Sequence, residues 1–285
     1  MTLLSIVLPA KNEAAALAQV LPKLRAQMPD AEVIVVDDGS TDATAEIARA
    51  AGARVVSTPY SMGNGAAIKR GARVATGDIL VFMDADGQHD PADIPKLLAK
   101  LADGYDMVVA SRDRQGQASV GRSLANGLYN RIASWITEFD IKDLTSGFRA
   151  VRAERFREFL HLLPNGFSYP TTITMAFLRS AFPIAYQPVN VVQRIGRSHI
   201  RPVRDGVRFL LIIFKIATLY SPLKLFAPAA LFFFLAGTTQ YAHTYLTEGR
   251  FTNMGTLLYT ASVLVFLIGL VAEQITAMTY ARSSS

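Results

Sequence analysis

Over residues 3–112, short apolar, β-branched runs alternate with amphipathic stretches. The runs Leu4–Leu8, Val33–Val36, Arg54–Ser57, Ile79–Met83 and Met107–Ala110 predict strands, and the stretches at 13–27, 42–51, 64–75 and 91–102 predict helices. Strands that alternate with helices imply an α/β fold with a parallel sheet covered on both faces. The near-continuous apolar character of the strands agrees, because such strands are buried on both sides. In these sheets ligands bind beyond the carboxyl ends of the strands.

Polar clusters follow four of the five strands: Pro9-Ala10-Lys11-Asn12-Glu13, Asp37-Asp38-Gly39-Ser40, Asp84-Ala85-Asp86 and Ser111-Arg112-Asp113. Parallel pairing places them on one rim of the sheet. If the chain stays extended past Met83, Asp84 and Asp86 point the same way. Two neighbouring anions repel unless one is protonated or a cation sits between them. Mg²⁺ or Mn²⁺ suits the pair, since either prefers oxygen ligands and completes its shell with water or phosphate oxygens. Asp90-Pro91 reads as a helix start, N-cap and first residue, which accounts for Asp90 but not for Asp84 or Asp86.

The remaining rim residues carry alternatives. Asp42 or Thr41 reads as the cap of the next helix. Asp38 is placed to accept hydrogen bonds from a ribose or base edge, whereas Asp37 supports the loop. Glu13 either does similar work or is a first-turn acid. Met62-Gly63-Asn64-Gly65-Ala66-Ala67 opens a helix without the third glycine of a dinucleotide fingerprint, which favours a tight turn with close packing over phosphate binding.

Charge and composition change the picture further along the chain. The 285 residues carry a formal charge of +6 and no cysteine, which excludes disulfides, zinc-thiolate sites and thiol nucleophiles. Arg112, Arg122 and Arg131 follow the fifth strand. Arg122, Asn126 and Asn130 share one helical face, either a two-point phosphate binder or a solvated basic surface. Arg194, Arg197, His199, Arg201, Arg204 and Arg208 are opposed nearby only by Asp205. Nucleic acid would explain that charge, but the very apolar Val207–Ile216 that follows argues against it and for a helix lying on a membrane surface.

Two apolar runs, at about 223–241 and 254–277, each have the length to span a bilayer and predict a transmembrane hairpin joined through His243–Asn253. A buried soluble helix pair is the alternative. Positive charge crowds the side before the first span, so the catalytic domain and C-terminus are expected to be cytoplasmic, in the inner membrane of a bacterial cell. The N-terminus lacks the basic start of a signal peptide. The expected organisation is a catalytic domain over 1–200, membrane-surface helices over 201–222, the hairpin over 223–277 and a tail over 278–285. Thr238, Gln240 and Gln274 offer polar contacts for a homo-oligomer.

LPAKNE, VVDDGSTD, GNGAAIKRGARVATGDILVFMDADGQHDP, ASRDR and DLTSGFRA, in this order and spacing, resemble the inverting family 2 glycosyltransferases, and within them the polyprenyl-phosphate sugar synthases of the dolichyl-phosphate mannose synthase type. The likeness covers about residues 3–200. It implies a GT-A fold, a UDP- or GDP-sugar donor and a polyprenyl phosphate acceptor. It implies that Asp84 and Asp86 hold Mg²⁺ or Mn²⁺ with Gln88 nearby, and that Pro9, Glu13, Val36, Asp38 and Ala85 line the nucleotide-sugar pocket. Arg112, Arg122 and Asn126 would meet the lipid phosphate, and Arg194 and Arg197, in a loop beside the active site, the donor diphosphate. Asp86, Arg112 and Arg122 are the candidate catalytic residues. An acceptor phosphate is already ionised near neutral pH and needs orientation more than a base; if a base acts, Asp86 is the candidate. One departure stands out. Thr172 occupies a position often acidic in the family, which loosens any transfer of donor specificity, and Ser168 or Thr171 reads as a cap for a helix at 172–180. The rival readings are an enzyme for a glycerolipid or glycan hydroxyl, and a non-catalytic scaffold for a flippase.

Overall fold

The computed structural model describes residues 3–112, 120–166, 168–191, 214, 218, 220–250 and 252–281. The chain divides into two compact units. One comprises Met1–Trp135 and Phe139–Val207, the other Ile136–Glu138 and Arg208–Ser285.

The first unit carries a seven-stranded sheet of order β3-β2-β1-β4-β6-β5-β7. Its strands are β1 (Leu4–Ala10), β2 (Glu32–Asp37), β3 (Arg54–Ser57), β4 (Ile79–Phe82), β5 (Met107–Arg112), β6 (Arg149–Arg152) and β7 (Ile184–Val189). The helices are α1 (Ala14–Gln27), α2 (Thr44–Ala50), α3 (Asn64–Val74), α4 (Ile94–Ala102), α5 (Val120–Thr137), α6 (Ala153–Glu158) and α7 (Tyr169–Arg179). Pairing is parallel except at β6, which runs antiparallel to both β4 and β5. This is the expected α/β, mostly parallel GT-A architecture. The antiparallel exception arises because Arg149-Ala150-Val151-Arg152 wedges between β4 and β5. Its arginines bracket two small apolar residues, so no apolar run announces a strand.

Alternation along the strands explains the two covered faces. Ile6 and Leu8 of β1 join Val33 and Val35 of β2, Val81 of β4, and Leu17, Leu21 and Leu97 of α1 and α4 in one cluster. Burying each such side chain contributes roughly 1.5–3 kcal/mol. Val7 points the other way. A Cβ on Gly71 of α3 would lie 2.3 Å from Val7 Cγ1 and 3.2 Å from Val36 Cγ2. The bare glycine therefore lets α3 ride directly on β1 and β2.

The second unit holds α8 (Pro222–Glu248) and α9 (Asn253–Ala281). Each is long and apolar enough to cross a membrane, with mean hydropathies of 1.4 and 2.1 and only 17% of each span buried. The helices meet where side chains are small. A Cβ on Gly269 would lie 2.7 Å from Phe226 Cβ, and Ser262 donates to the Ala230 carbonyl at 2.8 Å. The link is shorter than the expected His243–Asn253. Thr238 and Thr239 do not end α8, because their hydroxyls bond back to the carbonyls of Phe234 and Leu235, both at 2.9 Å. The helix stops at Gly249, whose φ of 64° lets its N–H return to the Tyr245 carbonyl at 3.1 Å. Glu273 accepts the Leu223 N–H at 3.1 Å and the Ser221 hydroxyl at 3.2 Å, satisfying the start of α8. The membrane-surface helices expected over 201–222 lie mostly outside the described residues.

Candidate active site

A cavity of about 490 Å³ opens at the carboxyl ends of β1, β2 and β4. Pro9 and Ala10 line it from the end of β1, Lys11 and Glu13 from the loop that follows, Asp38 from the loop after β2, Ser61 and Gly63 from the segment before α3, Asn64 and Ala67 from the start of α3, and Asp84, Ala85, Asp86 and Gln88 from the turn after β4. Three of the four polar clusters anticipated on the rim thus surround one space.

The first two loops are built together. Asn12, with φ of 56°, donates its N–H to Ser40 Oγ at 2.9 Å and accepts the Thr41 N–H at 2.8 Å. Asp42 accepts the N–H of Thr44 at 3.0 Å and that of Ala14 at 3.2 Å, so one carboxylate caps the starts of α2 and α1 together. Glu13 sits at the N-cap position of α1, makes no capping bond with its side chain, and faces the cavity. Asp37 supports its loop by accepting the Ser40 N–H at 2.9 Å.

Asp38 is occupied by protein donors. It accepts the N–H groups of Met62 at 2.7 Å and Gly63 at 2.9 Å, and the Ser61 hydroxyl at 2.7 Å. Burial pushes its pKa up, but these three donors and the Lys11 charge outweigh burial and hold the carboxyl below its usual range. Asp38 therefore shapes the wall beside the cavity as well as lining it.

The glycine-rich opening of α3 packs tightly, as its sequence suggests. Gly63 has φ of 102°, and a Cβ there would lie 2.5 Å from the Asn165 carbonyl oxygen. A Cβ on Gly65 would lie 2.1 Å from that of Pro164. Asn64 Oδ1 is buried with no hydrogen-bond partner, on a residue that lines the cavity.

Asp84 and Asp86 reach the cavity by a different route from simple strand alternation. β4 ends at Phe82, and Asp84 to Gly87 form a turn in which Gly87 has φ of 76°. Asp86 accepts the Gln88 N–H at 3.1 Å across that turn. Asp90 then caps the following 3₁₀ turn, accepting the Ala92 N–H at 3.0 Å. No cluster of three or more histidine or acidic side chains suited to a metal exists among the described residues. Two carboxylates with Gln88 beside them fit a hard cation that takes its other ligands from diphosphate and water, and fit a closed all-protein metal cage poorly.

Other expected site residues fall elsewhere. Val36 is fully buried beneath the cavity against α3 and is not among its lining residues. Arg112 ends β5, and Arg122 and Asn126 lie in α5, but their side chains are outside the described residues. Arg194 and Arg197 lie outside them altogether. Asn130 works internally, donating to the Lys142 carbonyl at 2.7 Å and accepting the Leu144 N–H at 3.2 Å. Neither Ser168 nor Thr171 caps a helix at 172–180. α7 begins earlier, at Tyr169, Ser168 makes no capping bond, and Thr171 donates to the Leu144 carbonyl at 3.4 Å. Thr172 is buried and bonds back to the Ser168 carbonyl at 3.2 Å. Lys11 and Asn64 were not singled out as site residues, although Lys11 stands in the first rim cluster and Asn64 in the glycine-rich stretch weighed for phosphate binding; nothing in the sequence marks Ser61.

Comparisons with known proteins agree with this geometry. Residues 5–160 match the family described as glycosyl transferase family 2, and residues 221–278 match the GtrB C-terminal hairpin. Glycosyltransferase AglJ of Haloferax volcanii is 30% identical over 262 residues, covering 90% of this chain and 80% of its own. Undecaprenyl-phosphate mannosyltransferase of Micrococcus luteus is 33% identical over 210 residues, covering 67% and 85%. Among solved structures, glucosyl-3-phosphoglycerate synthase of Mycobacterium tuberculosis with Mn²⁺, UDP and its product superposes with a TM-score of 0.61 at 27% identity, covering 76% of this chain and 79% of that one. The chain belongs to glycosyl transferase family 2, and its two C-terminal helices form a GtrB-type hairpin that marks it as a membrane protein.

Proposed function

We propose that the protein moves one hexose from a UDP- or GDP-sugar to a polyprenyl phosphate, with inversion at the anomeric carbon. The observation that carries this reading is the convergence of Asp84, Asp86 and Lys11 on one cavity at the strand ends, beside Asp38. The Micrococcus luteus relative is named for undecaprenyl phosphate, and the Mycobacterium tuberculosis neighbour holds Mn²⁺ with UDP. Both support the choice of substrates.

In this reading Asp84 and Asp86, with Gln88 beside them, hold Mg²⁺ or Mn²⁺, which when bound neutralises charge on the departing diphosphate. Pro9, Glu13, Asp38 and Ala85 shape the nucleotide side, with Val36 supporting them from below. Arg112, Arg122 and Asn126 orient the acceptor phosphate, and Arg194 and Arg197 face the donor diphosphate. The ionised acceptor needs no dedicated base, so positioning supplies much of the rate. Residues 1–200 form the catalytic domain and residues 201–222 lie on the membrane surface. The basic segment before α8 outweighs the lone Arg250 of the connecting loop, which Glu248 offsets, so the catalytic domain and C-terminal tail face the cytoplasm.

The test is a donor panel. Full-length protein in detergent receives Mg²⁺ or Mn²⁺, short-chain polyprenyl phosphate, and UDP- and GDP-hexoses in turn. Release of nucleoside diphosphate matched by glycolipid from one donor is the expected result. Donor cleavage without glycolipid, or no turnover by folded protein with any donor, would contradict it.

A further inference from the structure

Gly147 stands opposite Asp84. β6 runs antiparallel to β4 with Arg149 paired to Phe82, so stepping back along one strand and forward along the other brings Gly147 to Asp84. A Cβ on Gly147 would lie 2.9 Å from Asp84 Oδ2 and 3.3 Å from its Cγ and Oδ1. The glycine is needed for space and not for backbone shape, because its φ lies outside the left-handed region.

The peptide around Gly147 is clamped from behind. Tyr169 Oη donates to the Gly147 carbonyl at 3.3 Å. Arg149, fully buried, donates Nη2 to the Ser146 carbonyl and Nη1 to the Pro170 carbonyl and Thr174 Oγ1, both at 3.2 Å. Asp143 takes the Ser146 N–H at 3.1 Å from the other side. Fully buried arginines are rare unless paired. Burial lowers the pKa of this one, while the surrounding Tyr169, Tyr186, Asp143 and Asp84 favour its charged form. Its guanidinium is fixed by the Ser146 and Pro170 carbonyls and the Thr174 hydroxyl, which hold the backbone on either side of Gly147.

We propose that Gly147 is a positioning residue for cation binding: its bare Cα, held by Tyr169 and Arg149, sets where the Asp84 carboxylate stands at the cavity. This rests on the reading of Asp84 and Asp86 as cation ligands. Groups that orient ligands from behind typically cost about 10–100-fold in metal affinity when altered.

The test titrates Mn²⁺ into full-length protein in detergent with UDP, and separately GDP, following free Mn²⁺ by electron paramagnetic resonance. Gly147→Ala is expected to weaken Mn²⁺ binding about tenfold or more, and Tyr169→Phe by less in the same direction. In an Asp84→Asn background, Gly147→Ala should add no further loss. Tight Mn²⁺ binding that is equal in wild type and Gly147→Ala overturns the inference alone. So does a loss that persists undiminished in the Asp84→Asn background. Wild-type protein that binds no Mn²⁺ with either nucleotide overturns the cation reading itself. Where Gly147→Ala fails to fold, Tyr169→Phe carries the test, and unchanged Mn²⁺ affinity in that variant overturns the inference.

Discussion

The Asp38 carboxylate accepts the Met62 backbone N–H at 2.7 Å, tying the end of β2 to the segment that enters α3. Gly39 makes the approach possible: its φ is 67°, and a Cβ there would lie 2.7 Å from the Tyr60 carbonyl carbon. One wall of the cavity therefore hangs from one carboxylate.

Asp38→Asn should loosen that wall. An amide replaces a charged acceptor of two backbone donors, at a cost of about 1–3 kcal/mol. The folded pKa of Asp38 is depressed, so its contribution is complete above the ordinary carboxylate value of about 3.9 and is lost as pH falls through the lower folded value. Melting curves of the two proteins in detergent should converge as the pH is lowered below that range. A constant gap would show that Asp38 does not stabilise the fold through its charge.

Asp84→Asn and Asp86→Asn should each lower transfer by at least about 100-fold, the scale on which transition-state charge stabilisation is lost. The melting temperature of ligand-free Asp86→Asn should hold, because an amide oxygen still accepts the Gln88 N–H, whereas Asp84→Asn should lower it modestly by removing a charge that favours the buried Arg149 cation. Turnover rates and thermal melts measured side by side check both halves.

Asn64→Ala should separate binding from stability. Asn64 Oδ1 is buried without a protein partner, so its removal should cost the ligand-free fold little. If a donor nucleotide supplies the missing proton, its loss is worth about 1 kcal/mol, or roughly fivefold in donor KM. A stability loss with unchanged KM would assign Asn64 to packing.

The cavity was legible in part because buried apolar strands ended in acids, and parallel topology leaves such ends few places to go. The route was not. Asp84 and Asp86 looked like alternate residues of one extended strand, whereas the turn through Gly87 brings them to the cavity. β6 was hidden because its short span between two arginines has no periodic signature. Yet that strand backs Asp84, so the DLTSGFRA stretch carried more of the site than its composition suggested. Asn64 stood in a stretch read mainly as a tight turn, because its place depends on how close Gly63 and Gly65 come to the 164–166 backbone, a contact between distant parts of the chain. The hairpin was plain from its apolar length, but its threonines misled the boundary, since a helix absorbs their hydroxyls by bonding them to the preceding turn.

Gly269→Leu should splay the hairpin. A Cβ at this position already falls 2.7 Å from Phe226 Cβ, and overpacking typically costs about 1–3 kcal/mol. Val263→Leu, at a side chain 57% exposed, serves as the matched control and should be neutral. Thermal stability in lipid nanodiscs distinguishes the two. Equal behaviour would mean that α8 and α9 do not pack as described.

The most direct test of the central claim compares two acceptors that differ only in their head group. Full-length protein in detergent is given its preferred UDP- or GDP-hexose with a short-chain polyprenyl phosphate or with the corresponding polyprenol, each with and without EDTA. Glycolipid from the phosphate alone, abolished by EDTA and restored by Mg²⁺ or Mn²⁺, is the predicted result. Equal product from the polyprenol, or transfer indifferent to EDTA, would contradict the account.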